Sequence, residues 1–156
     1  MFSTVLFPVD QSRESREAAE MVANFVKENH SDRLVLLSVI EDSVSEDTEG
    51  DRDGQIQANG HPNGHPNGHA EVMSSPEAIA ELLANAKQLF EAKGIHAEVQ
   101  ERQGKPAFAI CDLADEISAD LIIMGCRGMS LVGDGASESV TQRVINLSPC
   151  PVLVVP

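Results

Sequence analysis

The chain has no tryptophan and no tyrosine, and its five phenylalanines are scattered, so any core must be built from valine, isoleucine, leucine and alanine. Basic residues are scarce: 11 Lys and Arg stand against 25 Asp and Glu, for a formal net charge of −14. A charge of that sign argues against a nucleic-acid groove and against an anionic membrane surface. It leaves room for a small ligand held by backbone dipoles, where the local field matters more than the total. The three cysteines, Cys111, Cys126 and Cys150, are odd in number and show neither a CxxC pair nor zinc-ligand spacing. They fit free thiols in a reducing cytoplasm. No apolar run approaches the ~20 residues needed to cross a bilayer, and a strand pattern follows Met1 directly, with no signal peptide before it. The expectation is a soluble cytoplasmic protein.

What remains is a 156-residue chain with 42% hydrophobic residues, a length that suits one domain over 1–156 and buries roughly 70% of its unfolded surface. Ser3 to Val9 is apolar and β-branched and is bounded by Asp10. From Glu14 to Asn29 the period changes, with Ala18, Met21, Val22, Phe25 and Val26 at helical spacing. Arg33 to Ile40 is an almost wholly apolar strand. Ile79, Leu82, Leu83, Ala86, Leu89 and Phe90 mark a second helix, with Gly94 as its stop. Ile95 to Arg102 alternates as a strand. Pro106 opens a third helix with Ile110, Leu113, Ala114 and Ile117 on its inner face. Leu121 to Gly125 is a fourth strand, Ser139 to Leu147 a fourth helix and Pro151 to Val155 a fifth strand.

Strands alternating with helices imply a parallel sheet covered on both faces, and continuous apolar runs suit strands buried on both sides. The expected architecture is α/β: an open, doubly wound, Rossmann-like five-stranded parallel sheet in the common order 3-2-1-4-5. In that order the first and fourth strands are neighbours and the winding reverses between them. Ligands of such sheets sit at the reversal, beyond the carboxyl ends of the strands.

The most informative stretch is Leu121-Ile122-Ile123-Met124-Gly125-Cys126-Arg127-Gly128, an apolar run ending in two glycines around an arginine. About ten residues later Glu138-Ser139-Val140-Thr141 begins a helix. Strand, glycine-bearing loop and helix N-terminus together present backbone N–H groups to an anion such as phosphate. Between the second strand and second helix, Asp42 to Ser75 is polar, acidic and glycine-rich, with three Asn-Gly-His steps at His61, His65 and His69. It reads as a flexible low-complexity linker. Three imidazoles at four-residue intervals suit zinc, nickel or copper, but Pro62 and Pro66 prevent a helix from holding them on one face, so no metal site is assigned.

These residues resemble the universal stress protein family over nearly all the chain outside the insert. The resemblance rests on Pro8-Val9-Asp10-Gln11-Ser12, Leu36-Leu37-Ser38-Val39-Ile40-Glu41, Asp120 to Gly128, and Ser148 to Val155. Members that bind ATP carry Gly-x2-Gly-x9-Gly-Ser/Thr around the phosphates. Gly125, Gly128 and Ser139 match it, whereas Glu138 stands where the third glycine would be. The resemblance implies that Asp10 and Val39 contact adenine and that Pro8, with Val9 and Met124 beside it, shapes the pocket wall. It also places Arg127, Ser139, Val140 and Thr141 near ribose and phosphates. The implied ligand is AMP, ADP or ATP, with Mg2+ left open as an accompanying ion.

Other readings stand beside these. A carboxylate at Glu138 would repel a terminal phosphate, or would point into solvent and gain roughly 0.3–1 kcal/mol from the helix dipole. Asp10 suits a helix cap as well as a ligand contact. Arg127 reads equally as a solvated loop cation, and Ser139 and Thr141 as helix-start residues. Cys126 has no nearby histidine to make it a nucleophile. The expected function is a nucleotide-responsive binding protein of the stress response, with an unidentified protein partner and no catalytic residues. Slow ATP hydrolysis or phosphoryl transfer is the weaker alternative because no Walker lysine is present; a nucleotide-free dimeric scaffold is another. The apolar strand 151–155 lies at a sheet edge in the assumed order, so a homodimer through it is expected.

Overall fold

The computed structural model describes residues 1–41, 75–125 and 139–156. Five parallel strands, β1 (Thr4–Pro8), β2 (Arg33–Ile40), β3 (Ala97–Gln103), β4 (Leu121–Gly125) and β5 (Val152–Val155), form one sheet in the order β3-β2-β1-β4-β5. The helices between them are α1 (Arg13–Glu28), α2 (Pro76–Ala92), α3 (Pro106–Glu116) and α4 (Val140–Leu147). The chain winds outward from β1 to β3 and then returns past β1 to β4 and β5. Crossovers between parallel strands are right-handed, so α1 and α2 cover one face and α3 and α4 the other.

The period of two along a strand divides the core accordingly. Val5, Phe7, Leu34, Leu36, Leu121 and Ile123 pack with Ala18, Val22 and Val26 of α1 and with Ile79, Leu83 and Phe90 of α2. Leu6, Val35, Leu37, Ile122 and Met124 pack with Ile110, Leu113 and Ala114 of α3 and with Val144 of α4. Full burial of such side chains stabilises by about 1.5–3 kcal/mol each. The Phe7 and Phe90 rings meet edge to face at 6.2 Å and 78°, worth about 0.5–1.5 kcal/mol more.

Serine caps three of the helices: Ser12, Ser75 and Ser139 each accept a hydrogen bond from the amide three residues on. At α3 that place is taken by Lys105, which makes no side-chain cap, and Pro106 supplies the preset first turn. Three of the four described helices, α1, α2 and α3, end on one device. After α2, the Gly94 N–H donates to Glu91 O and the Ile95 N–H to Phe90 O, both at 2.9 Å, with Gly94 at φ +75°. That pair of bonds is a Schellman motif. It recurs after α1 with His30 and after α3 with Ser118 in the left-handed position.

Several boundaries differ from the sequence expectation for local reasons. β3 begins at Ala97, because the Ile95 amide closes α2. β5 begins at Val152, Pro151 contributing a carbonyl that accepts from the Ile122 N–H at 3.0 Å. Ile117 is the C-cap of α3 and only partly buried. Met21 follows the helical spacing of α1 but is 53% exposed, lying on the flank toward β5.

Candidate functional site

The ladder between β1 and β4 is recorded only at Val5–Leu121 and Leu6–Ile122, short of the end of either strand. Pro8 has no N–H with which to extend it. In sheets of this topology the ligand crevice lies beyond the carboxyl ends, where the winding reverses, here between β1 and β4. The end of β1 is held instead to β2, through the Val9 N–H to Leu37 O at 2.8 Å.

Four of the residues singled out from sequence fall on the α3/α4 side of this crevice. Met124 belongs to that core, and Val39 and Val140 pack against it from partly buried positions. Pro8 is in register with Leu37, a member of the same core. Val9 differs: its side chain belongs to the α1/α2 core, so only its backbone borders the crevice. Gly125 ends β4, and a Cβ there would meet Glu14 O at 3.9 Å, an ordinary contact. The packing in view therefore does not demand a glycine at that position.

The start of α4 is tied to the same strand end. Thr141, 8% exposed, donates its hydroxyl to Gly125 O at 3.2 Å. Ser139 Oγ accepts from the Gln142 N–H at 3.2 Å, which leaves its hydroxyl proton available to another acceptor. An anion here would meet that hydroxyl and the positive end of the helix dipole.

Asp10 stands just beyond β1. It is not the cap of α1; Ser12 is, with its Oγ accepting from the Ser15 N–H at 3.0 Å. Asp10 braces that cap. Its Oδ1 accepts from the Ser12 N–H at 2.8 Å and from the Ser12 hydroxyl, while its own N–H donates to Ser15 Oγ at 3.1 Å. Oδ2 is buried and has no hydrogen-bond partner. Burial raises the carboxyl above its ordinary value of 3.8; the bonds from Ser12 oppose the rise and Glu14 adds to it. An orphaned carboxylate oxygen of this kind favours a ligand that brings a donor.

Cys126, Arg127, Gly128 and Glu138 lie outside the described residues, as do His61, His65 and His69 of the insert. Among the described residues no group of three or more His, Cys, Asp or Glu is placed to hold a metal ion, and no helix is long and apolar enough to cross a membrane. The sequence marks Ser12 only as part of the opening motif, although a serine just ahead of an apolar-periodic run is a legible helix-start signal.

Comparison with known proteins gives this geometry a lineage. The model of the universal stress protein family matches residues 1–156. A curated universal stress protein of Synechocystis sp. is 51% identical over 157 residues, spanning 100% of this chain and 87% of the relative. The crystal structure of a universal stress protein in complex with cAMP superposes with a TM-score of 0.69 at 21% identity, covering 99% of this chain and 97% of the other. An Archaeoglobus fulgidus universal stress protein in complex with dAMP gives 0.62 at 17% identity, covering 100% and 98%. Those two likenesses establish the shared fold. Matched by the family model from end to end, and 51% identical over its whole length to a curated relative, the chain belongs to the universal stress protein family.

Proposed function

We propose that the protein binds an adenine nucleotide in the crevice beyond β1, β2 and β4 and acts as a nucleotide-responsive regulatory protein rather than as an enzyme. The observation that carries this reading is the meeting, at the point where the winding reverses, of an orphaned acceptor (Asp10 Oδ2), an apolar wall (Pro8, Val39, Met124, Val140) and a helix N-terminus fastened to the strand end through Thr141 and Gly125. A purine needs an apolar slot and a partner for its exocyclic amine; a phosphate needs backbone N–H groups and a helix dipole. Asp10 and Val39 serve the base, and Gly125, Ser139, Val140 and Thr141 the ribose and phosphate end, together with Arg127 and Gly128. The cAMP and dAMP complexes of two structural neighbours support the choice of ligand.

Glu138 adds a carboxylate where outer phosphates would lie, so AMP and ADP are expected to bind at least as well as ATP, and Mg2+ serves only the longer phosphates. Bound nucleotide alters which protein partner is engaged. The acting unit is a cytoplasmic homodimer through β5, whose outer edge carries Val152, Leu153 and Val154. Calorimetric titration with AMP, ADP and ATP tests the reading, with Glu138→Gly beside the natural chain. Saturable AMP binding, with ATP gaining on it in the variant, is expected. No binding of any adenine nucleotide overturns the proposal, and ATP turnover above background overturns its regulatory part.

A further inference from the structure

On the opposite face of the sheet from Val39, Met124 and Val140, a cavity of about 510 Å3 lies between α1 and α2. That volume is within the range of small-molecule sites. Its apolar lining is small on both helices, with Ala19 from α1 and Ala78 and Ala86 from α2, beside Leu82 and Leu89. The apolar floor is met by three charged residues, Asp10, Arg16 and Glu81.

The charges decide what the space suits. Two carboxylates face one guanidinium, within a chain of net charge −14. The N-termini of α1 and α2 open toward the same end, where the amides of Ser15 and Ala78 are taken by Ser12 Oγ and Ser75 Oγ, at 3.0 and 3.2 Å. What stands unmet on the wall is an acceptor, the buried Oδ2 of Asp10. We propose that the cavity between α1 and α2 is a second binding site, separate from the nucleotide crevice, for a small molecule with a protonated amine on an apolar or aromatic body. The ring or chain packs on Ala19, Leu82 and Ala86. The ammonium donates toward the Asp10 and Glu81 carboxylates and gives the buried Asp10 oxygen the partner it lacks. Asp10, just beyond the end of β1, lines this cavity and stands beside the crevice, so the two sites are neighbours.

The chain contains no tryptophan or tyrosine, so the fluorescence of an indole probe reads without protein background. The test titrates the full-length protein with tryptamine and, in parallel, with indole-3-acetate, and maps the bound probe by methyl NMR. Saturable blue-shifted binding of tryptamine is expected, at least roughly tenfold tighter than that of indole-3-acetate. The perturbed methyls should be those of Ala19, Leu82, Ala86 and Leu89. Ala86→Phe fills the space and should weaken tryptamine by about tenfold or more while leaving AMP binding as it was. Should that variant fail to fold, Ala86→Met and the map on the natural chain decide the matter. Absence of saturable binding, equal binding of the two probes, an unaffected Ala86→Phe, or perturbations centred on Val39, Met124 and Val140 would each overturn the proposal.

Discussion

β3 and β5 both lie at the rim of the sheet, each paired on one side only, yet they protect themselves in different ways. β3 reads Ala-Glu-Val-Gln-Glu-Arg-Gln and alternates between buried or half-buried and exposed positions along its length. Arg33 reaches across from β2 to grip Glu98 through two hydrogen bonds of 2.8 Å, and Arg102 meets Glu116 of α3 at 3.1 Å. Charge of both signs along a bare edge discourages another strand from pairing there. β5 is Val-Leu-Val-Val, four residues between Pro151 and Pro156, with no charge at all. Beside it, Met21 and Phe25 of α1 line a groove of about 220 Å3 together with Leu153 and Val155. One edge is finished by its own side chains. The other has the composition of an interface, and this contrast is the ground for proposing a dimer through β5 and not through β3.

The contrast breaks most visibly at Val154. A lysine there puts charge into the edge that the homodimer would use, so Val154→Lys should give monomer or insoluble protein. Deleting Val152–Pro156 should give insoluble protein, because it bares Ile123 and Met124, which β5 covers by pairing. Val99→Lys on β3 is the matched control: Val99 is 40% exposed, and a surface change of this kind stays within about 0.5 kcal/mol. Light scattering near micromolar concentration reads both. If the natural chain is monomeric, and Val154→Lys stays soluble and unchanged, the apolar edge is protected in some other way.

A smaller effect sharpens the same comparison. Leu153 is 40% exposed in the single chain, so its truncation costs the monomer little. At an interface the same side chain would be covered. Leu153→Ala should therefore raise the dimer dissociation constant by about tenfold, while the stability of the isolated chain moves by less than about 0.5 kcal/mol. Sedimentation across a concentration series, paired with urea unfolding, separates the two quantities. A stability loss without any change in association would make Leu153 a packing residue and remove it from the interface.

The sequence carried the contrast between the edges only in part. The apolar run at Val152–Val155 and the reversal between β1 and β4 were both legible, because strand alternation and continuous apolar runs report burial directly. Of the three Schellman motifs only the one at Gly94 could be seen. His30 and Ser118 occupy the same left-handed position, but residues with a Cβ give no such signal. From sequence Asp10 suits a helix cap and a ligand contact equally, and in the structure the capping falls to Ser12 two positions later. Val9 was grouped with Pro8, yet the period of two sends its side chain to the other face. The cavity between α1 and α2 was invisible for a different reason. Ala19 and Ala86 read as ordinary helix formers, and only the structure shows that they line one cavity among the described residues.

The last test works on β3, where the effect should be smallest. Arg33 and Glu98 have side chains 38% and 40% exposed, so their coupling in a double-mutant cycle should be about 0.2–1 kcal/mol and should shrink in high salt. Its pH dependence has a definite sign. The hydrogen bonds from Arg33 hold the Glu98 carboxyl below its ordinary value of 4.5, with burial opposing and the charges of Arg33 and His96 assisting. A carboxyl lowered in the folded state binds its proton more weakly there than in the unfolded chain. Its contribution is therefore complete above 4.5 and is lost as pH falls through the lowered folded value. Urea unfolding of the natural chain, Arg33→Ala, Glu98→Ala and the double variant at neutral pH and again in acid measures it. A coupling that persists unchanged in acid, or that grows with salt, would mean that the pair is not what finishes this edge, and that β3 owes its solubility to Gln100, Glu101 and Gln103 instead.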